Sequence, residues 1–184
     1  EEKGDKTASL ESIEVGAYHA KSMAEMESYW ARACNEVEVE LIGIKGPIKA
    51  LIDSGSEVNL MSKELYNQGK WKVDRDIQWK VKSVNASKNS LWGACPDVKL
   101  KVGNVVEDIN VFVHESLPYS LLLGQPFITE WRLETKVLDD GTHMAKVKSK
   151  DNLRVIQFPT VHPDHVRNRK DLRTSEELRE QETF

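Results

Sequence analysis

Ala50-Leu51-Ile52-Asp53-Ser54-Gly55-Ser56-Glu57-Val58-Asn59-Leu60-Met61 is the stretch from which the rest of this chain is best read. Ile48-Lys49-Ala50-Leu51-Ile52 ends as a nearly continuous apolar run, the pattern of a strand buried on both faces. A polar turn follows at once. A carboxylate at the end of a buried strand is costly unless it is hydrogen-bonded or put to use. Ser54 offers a local donor, and Gly55 lets the backbone approach closely or take a positive φ. Two readings stand side by side at this point. One is a strand-ending turn, because Asp-Ser-Gly is a common turn tripeptide. The other is a chemical site built on Asp53.

Working outward, Glu36 to Leu41 alternates strictly, as a half-buried strand does, and Lys45-Gly46-Pro47 turns it into the apolar run. Ser62 to Gln68 fits one or two helical turns with Ser62 as cap. Ile77 to Val84 alternates again, with Trp79, Val81 and Val84 on one side. Asn85 to Ser90 then reads as the polar tip of a long hairpin. Val98–Val102, a Gly103-Asn104 turn and Val105–Val113 make a second hairpin. Leu121-Leu122-Leu123 is a short apolar strand closed by Gly124, and Pro126 to Glu130 starts a helix. Lys136-Val137-Leu138 and Met144–Val147 form a hairpin around Asp139-Asp140-Gly141, and Leu153–Phe158 is a last strand. The order strand, glycine turn, strand, then a glycine at a strand end occurs twice, over Val39–Gly55 and Leu100–Gly124. An approximate internal twofold would produce this echo.

The chain has 184 residues, 39% hydrophobic and 30% charged, enough for one domain with a core plus flanking segments, or two very small domains. No apolar run approaches the roughly 18 residues of a membrane-spanning helix. A net charge of -4 argues against a dedicated nucleic-acid binder. Cys34 and Cys95 are too few for a disulfide framework, which points to free thiols and an intracellular setting. The start, Glu1-Glu2-Lys3-Gly4, shows neither an initiator Met nor an apolar signal core, and reads as part of a longer polypeptide. Met23, Met26, Trp30 and Ala33 recur at helical spacing, so a helix is expected over 15–33 within a leader, 1–34. From His162 onward the chain is polar with mixed charge, a solvated tail with a helix expected over 175–182.

Weaker constellations are set aside. His162-Pro163-Asp164-His165 has no Cys partner nearby for a zinc site. The basic cluster Arg167, Arg169, Lys170 and Arg173 is diluted by Asp171 and Glu176. Gly69-Lys70 lacks the rest of a phosphate loop. Trp79, Trp92 and Trp131 read as core or as walls of a binding site.

The stretch 50–61 resembles the active-site segment of retroviral-type aspartic proteases: apolar residues, Asp, Ser or Thr, Gly, then Ala or Ser. Leu121-Leu122-Leu123-Gly124-Gln125-Pro126-Phe127-Ile128 resembles the second signature of that family, aliphatics then Gly then a short helix. With a polar hairpin tip between the two, the resemblance covers Val37–Arg132. It is strongest to the protease region of gypsy-like long-terminal-repeat retrotransposon polyproteins. It implies a mainly β, retropepsin-like barrel over 35–132 with one short helix after Leu-Leu-Leu-Gly. An additional β-hairpin and strand over 133–159 and a charged tail over 160–184 would complete the chain. Asp53 would be the catalytic carboxylate. Ser54 would bond across a dimer axis, Gly55 would present its carbonyl to substrate, and Ser56 would complete the loop. Glu57 falls where the family often has a polar residue near the substrate backbone, or is a plain surface charge. A flap over 84–91 would bring Val84, Asn85, Ala86 and Ser87 to the substrate.

Aspartic proteolysis needs two carboxylates sharing one proton around a water. The chain has one convincing Asp-Ser-Gly. Asp139-Asp140-Gly141-Thr142 lacks a buried strand before it and fits a hairpin turn. The second Asp must then come from a second copy, in a twofold homodimer. The expectation is therefore an aspartic endopeptidase that processes a Gag-Pol type polyprotein, with no metal and no organic cofactor. Its partners would be a second copy of itself and a polypeptide substrate, with no membrane. Two alternatives remain. One is a catalytically inactive dimerisation or peptide-binding module, favoured by a flap with no glycine before Gly93. The other is a monomeric precursor whose leader and tail hinder dimerisation.

Overall fold

The computed structural model of the chain describes residues 28–77, 80–82 and 88–172. The chain divides into two units, Ala31–Arg169 and a unit of both termini, Glu1–Trp30 with Lys170–Phe184. Of the terminal unit only residues 28–30 and 170–172 are described, and they carry neither helix nor strand.

The Ala31–Arg169 unit is mainly β. Strands β1 (Glu36–Leu41) and β2 (Ile48–Ile52) form an antiparallel hairpin through a turn in which Gly46 takes a φ of 78°. β3 (Leu60–Ser62) leads directly into helix α1 (Lys63–Gln68), where the Ser62 side chain accepts the Leu65 N–H as the sequence predicts. β4 (Lys80–Lys82) pairs antiparallel with β5 (Lys88–Ser90). β6 (Gly93–Val102) and β7 (Val105–His114) form the second long hairpin, turning at Gly103 with a φ of 55°. β8 (Leu121–Leu123) runs into helix α2 (Gln125–Glu130), and β9 (Glu134–Val137), β10 (His143–Lys148) and β11 (Val155–Val161) form a separate three-stranded sheet.

Six strands close into a barrel in the order β1-β2-β8-β3-β7-β6. Closure leaves no exposed strand edge in the barrel. The two halves are related as the sequence echo suggests. Exchanging β1 with β6, β2 with β7 and β3 with β8 turns the order into its own reverse. The pairing types follow the exchange: β2 runs parallel to β8, and β3 parallel to β7. β3 and β8 lie antiparallel where the halves meet, and a short helix follows each of them.

The core follows from these pairings. Val39, Leu41, Val98, Leu100, Val111, Val113, Leu121 and Leu123 are buried inside the barrel, and Phe127 and Trp131 close one end with ring centroids 5.1 Å apart. Trp131 is thus core, not a binding-site wall. Trp92 packs on Tyr66 at 4.9 Å, with Lys63 and Arg75 each 3.9 Å from its ring centre, while Trp79 lies outside the described residues.

Several expectations are revised. β6 starts five residues before the expected Val98, crossing a bulge at Pro96-Asp97 where Asp97 takes a φ of 55°. Of the helix expected over 15–33, residues 15–27 lie outside the described residues and 28–33 are not helical. The reason is a long-range pairing. Ala31 exchanges both backbone hydrogen bonds with Arg169, and the Ala33 N–H donates to Asn168 Oδ1, so these groups are satisfied by the far end of the chain. Residues 168 and 169 are thus tied back to the segment before β1, and Arg167 pairs with Glu36 of β1, although most of residues 162–169 remain exposed. The helix expected over 175–182 lies outside the described residues.

Leu121 is fully buried between β2 and β3. Leu121→Ala is expected to lower the unfolding free energy by about 3 kcal/mol, read from urea denaturation.

Candidate functional site

Asp53 continues the β2–β8 pairing one residue past the strand, its N–H donating to Leu123 O at 3.0 Å. Ile52 before it donates to Asn35 O at 2.8 Å, so the strand end is held from both sides. The Asp53 side chain is half-buried and accepts the Gly55 N–H at 2.9 Å on Oδ1, while its carbonyl accepts the Ser56 N–H at 3.2 Å. A Cβ on Gly55 would stand 3.2 Å from that Oδ1. The glycine therefore serves close approach, and its φ is not in the left-handed region. Ser54, Gly55 and Glu57 are exposed, and Ser56 is half-buried with its hydroxyl donating to Val58 O at 2.8 Å.

The loop from 53 to 59 is locked to the second motif. Gln125 donates from its backbone to Ser56 O at 2.8 Å and from its side chain to Ser54 O at 2.6 Å. A Cβ on Gly124 would lie 2.3 Å from Val58 O and 2.6 Å from Ser56 O, so only glycine fits beneath the loop. Asn59 is 2% exposed. Its Oδ1 accepts the Gly124 N–H at 2.9 Å and its Nδ2 donates to Asn110 O at 3.1 Å. Sequence reasoning missed Asn59 and Gln125. The signal for Asn59 was present: an amide inside the run Val58-Asn59-Leu60-Met61 must find buried partners.

Alternation along β2 puts Ala50 and Ile52 toward the barrel core and Leu51 and Asp53 on the opposite face. On that face Leu51, Leu60, Leu91 and Leu122 form a second apolar cluster, with Val58, Ile77, Phe112, Leu117 and Tyr119 packed around it. The carboxylate thus stands at the margin of an apolar surface. β4 and β5 form the arms of the expected hairpin, paired up to Lys82 and Lys88. Val84, Asn85, Ala86 and Ser87, between them in sequence, lie outside the described residues.

The remaining candidates are engaged elsewhere. Asp139-Asp140-Gly141-Thr142 is the turn between β9 and β10. The Thr142 N–H and hydroxyl, both 2.9 Å from Asp140, hold that carboxyl below its ordinary range. His162 and His165 accept backbone N–H bonds from Asp164 and Arg167 within their own turns. No group of three His, Cys, Asp or Glu among the described residues is arranged to hold a metal ion. Burial pushes the Cys95 thiol up to about 11, well away from reactivity at neutral pH. No helix among the described residues is long and apolar enough to cross a membrane.

No protein-family model matches the chain. No curated protein matches it. Among solved structures, it is similar to the retroviral protease-like domain of Ddi1 from Leishmania major, at 15% identity and a TM-score of 0.49, over 71% of this chain and 98% of that one. It is also similar to EIAV protease complexed with the inhibitor HBY-793, at 17% identity and a TM-score of 0.44, over 55% of this chain and 90% of that one.

Two substitutions test the lock beneath the loop. Gly124→Ala is expected to cost about 3 kcal/mol of stability by forcing the loop off the helix start. Asn59→Ala, which strands a buried N–H and a carbonyl, is expected to cost about 2 kcal/mol in the same denaturation assay.

Proposed function

We propose that the chain is an aspartic-type endopeptidase that works as a homodimer, one Asp53 from each copy, on a polypeptide substrate such as its own polyprotein. The observation that carries this reading is the placement of Asp53. A half-buried carboxylate stands at the end of a rigid parallel strand pair, beside an apolar face, with Ser54 and Gly55 exposed at the tip of its loop. The rival acid, Asp140, is tied into a turn, so one chain supplies one half of an acid–base pair.

The chemistry follows from pairing two such halves. Two carboxyl groups within hydrogen-bond reach cannot both ionise, so they hold one proton between them. The ionised partner takes a proton from a water, which attacks the peptide carbonyl carbon. The protonated partner gives its proton to the carbonyl oxygen. Collapse of the tetrahedral adduct breaks the C–N bond: the carboxyl that took the water's proton gives it to the departing amine, and the other carboxylate takes a proton back from the adduct's hydroxyl, so the pair again holds one proton. In this reading Ser54 lies at the contact between the two loops, Gly55 offers its carbonyl to the substrate and Ser56 completes the loop. Glu57 lies alongside the substrate, and a flap over 84–91, with Val84, Asn85, Ala86 and Ser87, would cover the cleft and exclude water. The apolar cluster around Leu51 and Leu122 favours apolar residues beside the cut. An origin in a gypsy-like retrotransposon polyprotein is the sequence resemblance carried forward.

A second reading is a peptide-binding or dimerising module without activity. It is favoured by the hairpin from Lys80 to Trp92, which contains no glycine to let it open and close.

Incubation with a longer precursor, with and without a statin-type inhibitor, separates the two. Cleavage that the inhibitor blocks is the expected result, and a stable dimer that cuts no precursor would favour the module. Asp53→Asn is expected to abolish cleavage while leaving circular dichroism and sedimentation unchanged. An undiminished rate in that variant would exclude the mechanism. Specific activity is expected to fall on dilution through the dimer dissociation constant, while a monomeric enzyme would keep it constant.

A further inference from the structure

A cavity of about 330 Å³ opens beside the β2 strand, between the turn that precedes β8 and the docked segment His165–Arg167. Leu51 and Tyr119 belong both to this cavity and to the apolar cluster on the Asp53 face. Leu51 and Lys49 precede Asp53 by two and four residues on the same strand face, about 7 Å and 13 Å along it. Alternate side chains of an extended peptide have that spacing.

The wall formed by residues 165–167 is fixed. The Asn168 amide accepts from Ala33 and donates to Pro163 O at 2.6 Å, and Arg169 pairs with Ala31. Arg167 reaches across to Glu36 at 2.6 Å, whose side chain is only 15% exposed. That pair uses the carboxylate of the cavity lining. Lys49 is exposed and forms no ion pair among the described residues, with Glu38 opposite it on β1. Glu38 is not part of the lining, which holds two cations, Lys49 and Arg167, against the single carboxylate of Glu36, so its net charge is positive.

We propose that this cavity is a binding site for an acidic side chain of an extended peptide. Lys49 is its charge-reading residue, and the 162–169 segment forms its outer wall. The proposal rests on the protease reading and adds to it a polar outer requirement beyond the apolar centre.

The test uses the full chain carrying Asp53→Asn, so that binding is read without cleavage, and the wild type for kcat/KM. The probes are fluorescein-labelled octapeptides with an apolar centre and Glu, Gln or Lys at each outer position in turn. Anisotropy titrations are expected to show one position where Glu binds about tenfold tighter than Lys, with Gln between. Lys49→Glu in the same background, its fold checked by circular dichroism, is expected to reverse that order. Arg167→Gln, which loosens the wall, is expected to weaken all peptides about threefold. Binding without charge preference at any position, an order unmoved by Lys49→Glu, or no peptide binding at all would overturn the proposal. Charge-selective binding without wild-type cleavage would instead remove the protease reading alone.

Discussion

The loop that carries Asp53 and the glycine that begins α2 pass each other closer than any side chain allows. Gly124 lies beneath the carbonyls of Ser56 and Val58, and a Cβ there would overlap both. Gln125 and Asn59 then bond across the same gap, each to backbone of the opposite motif. The two stretches, far apart in sequence, thus become one rigid body in which β8 lies between β2 and β3. For the proposed chemistry this rigidity matters, since a reacting carboxylate misplaced by an ångström loses most of its effect. The loop has nowhere to relax while the glycine, the amide and the parallel pairing all hold it.

The barrel repeats this arrangement approximately. Its strand order reads the same from either end once the halves are exchanged, yet the acids at the two strand ends differ: Asp53 after β2 is half-buried beside the apolar cluster, while Glu115 after β7 is exposed and lies 3.7 Å from Lys63. The equivalent connection in the second half, between β7 and β8, runs Glu115-Ser116-Leu117-Pro118-Tyr119-Ser120 and supplies Leu117 and Tyr119 to the apolar surface. One half bears the carboxylate and the other helps line the ground beside it. In the proposed chemistry the second carboxylate would come from a second molecule and not from the second half.

Much of this was legible because the signals were local. The alternation of Glu36–Leu41, the apolar run ending at Ile52, the Ser62 cap and the Leu-Leu-Leu-Gly stop all appear where the sequence places them. β3 has three residues and no period to detect, so it was not anticipated. β6 was read short because Pro96 and Asp97 interrupt it, although the chain absorbs them in a bulge. The parallel pairings and the return of residues 162–169 to Ala31 and Ala33 depend on distant partners, which no window of sequence contains. In the site, Asp53 and Gly55 announced themselves as a polar turn after a buried strand. Asn59 and Gln125 act only through contacts with the other motif, and their importance emerges with the fold.

The central claim concerns the geometry of two chains at once. It is tested most directly by a crystal structure of the assembled protein with a peptide mimic whose hydroxyl stands in for the tetrahedral adduct. The account predicts a twofold dimer with the two Asp53 carboxyl groups within hydrogen-bond distance of that hydroxyl and of each other, about 3 Å. A dimer that keeps the two groups apart, or a mimic bound away from Asp53, would contradict it.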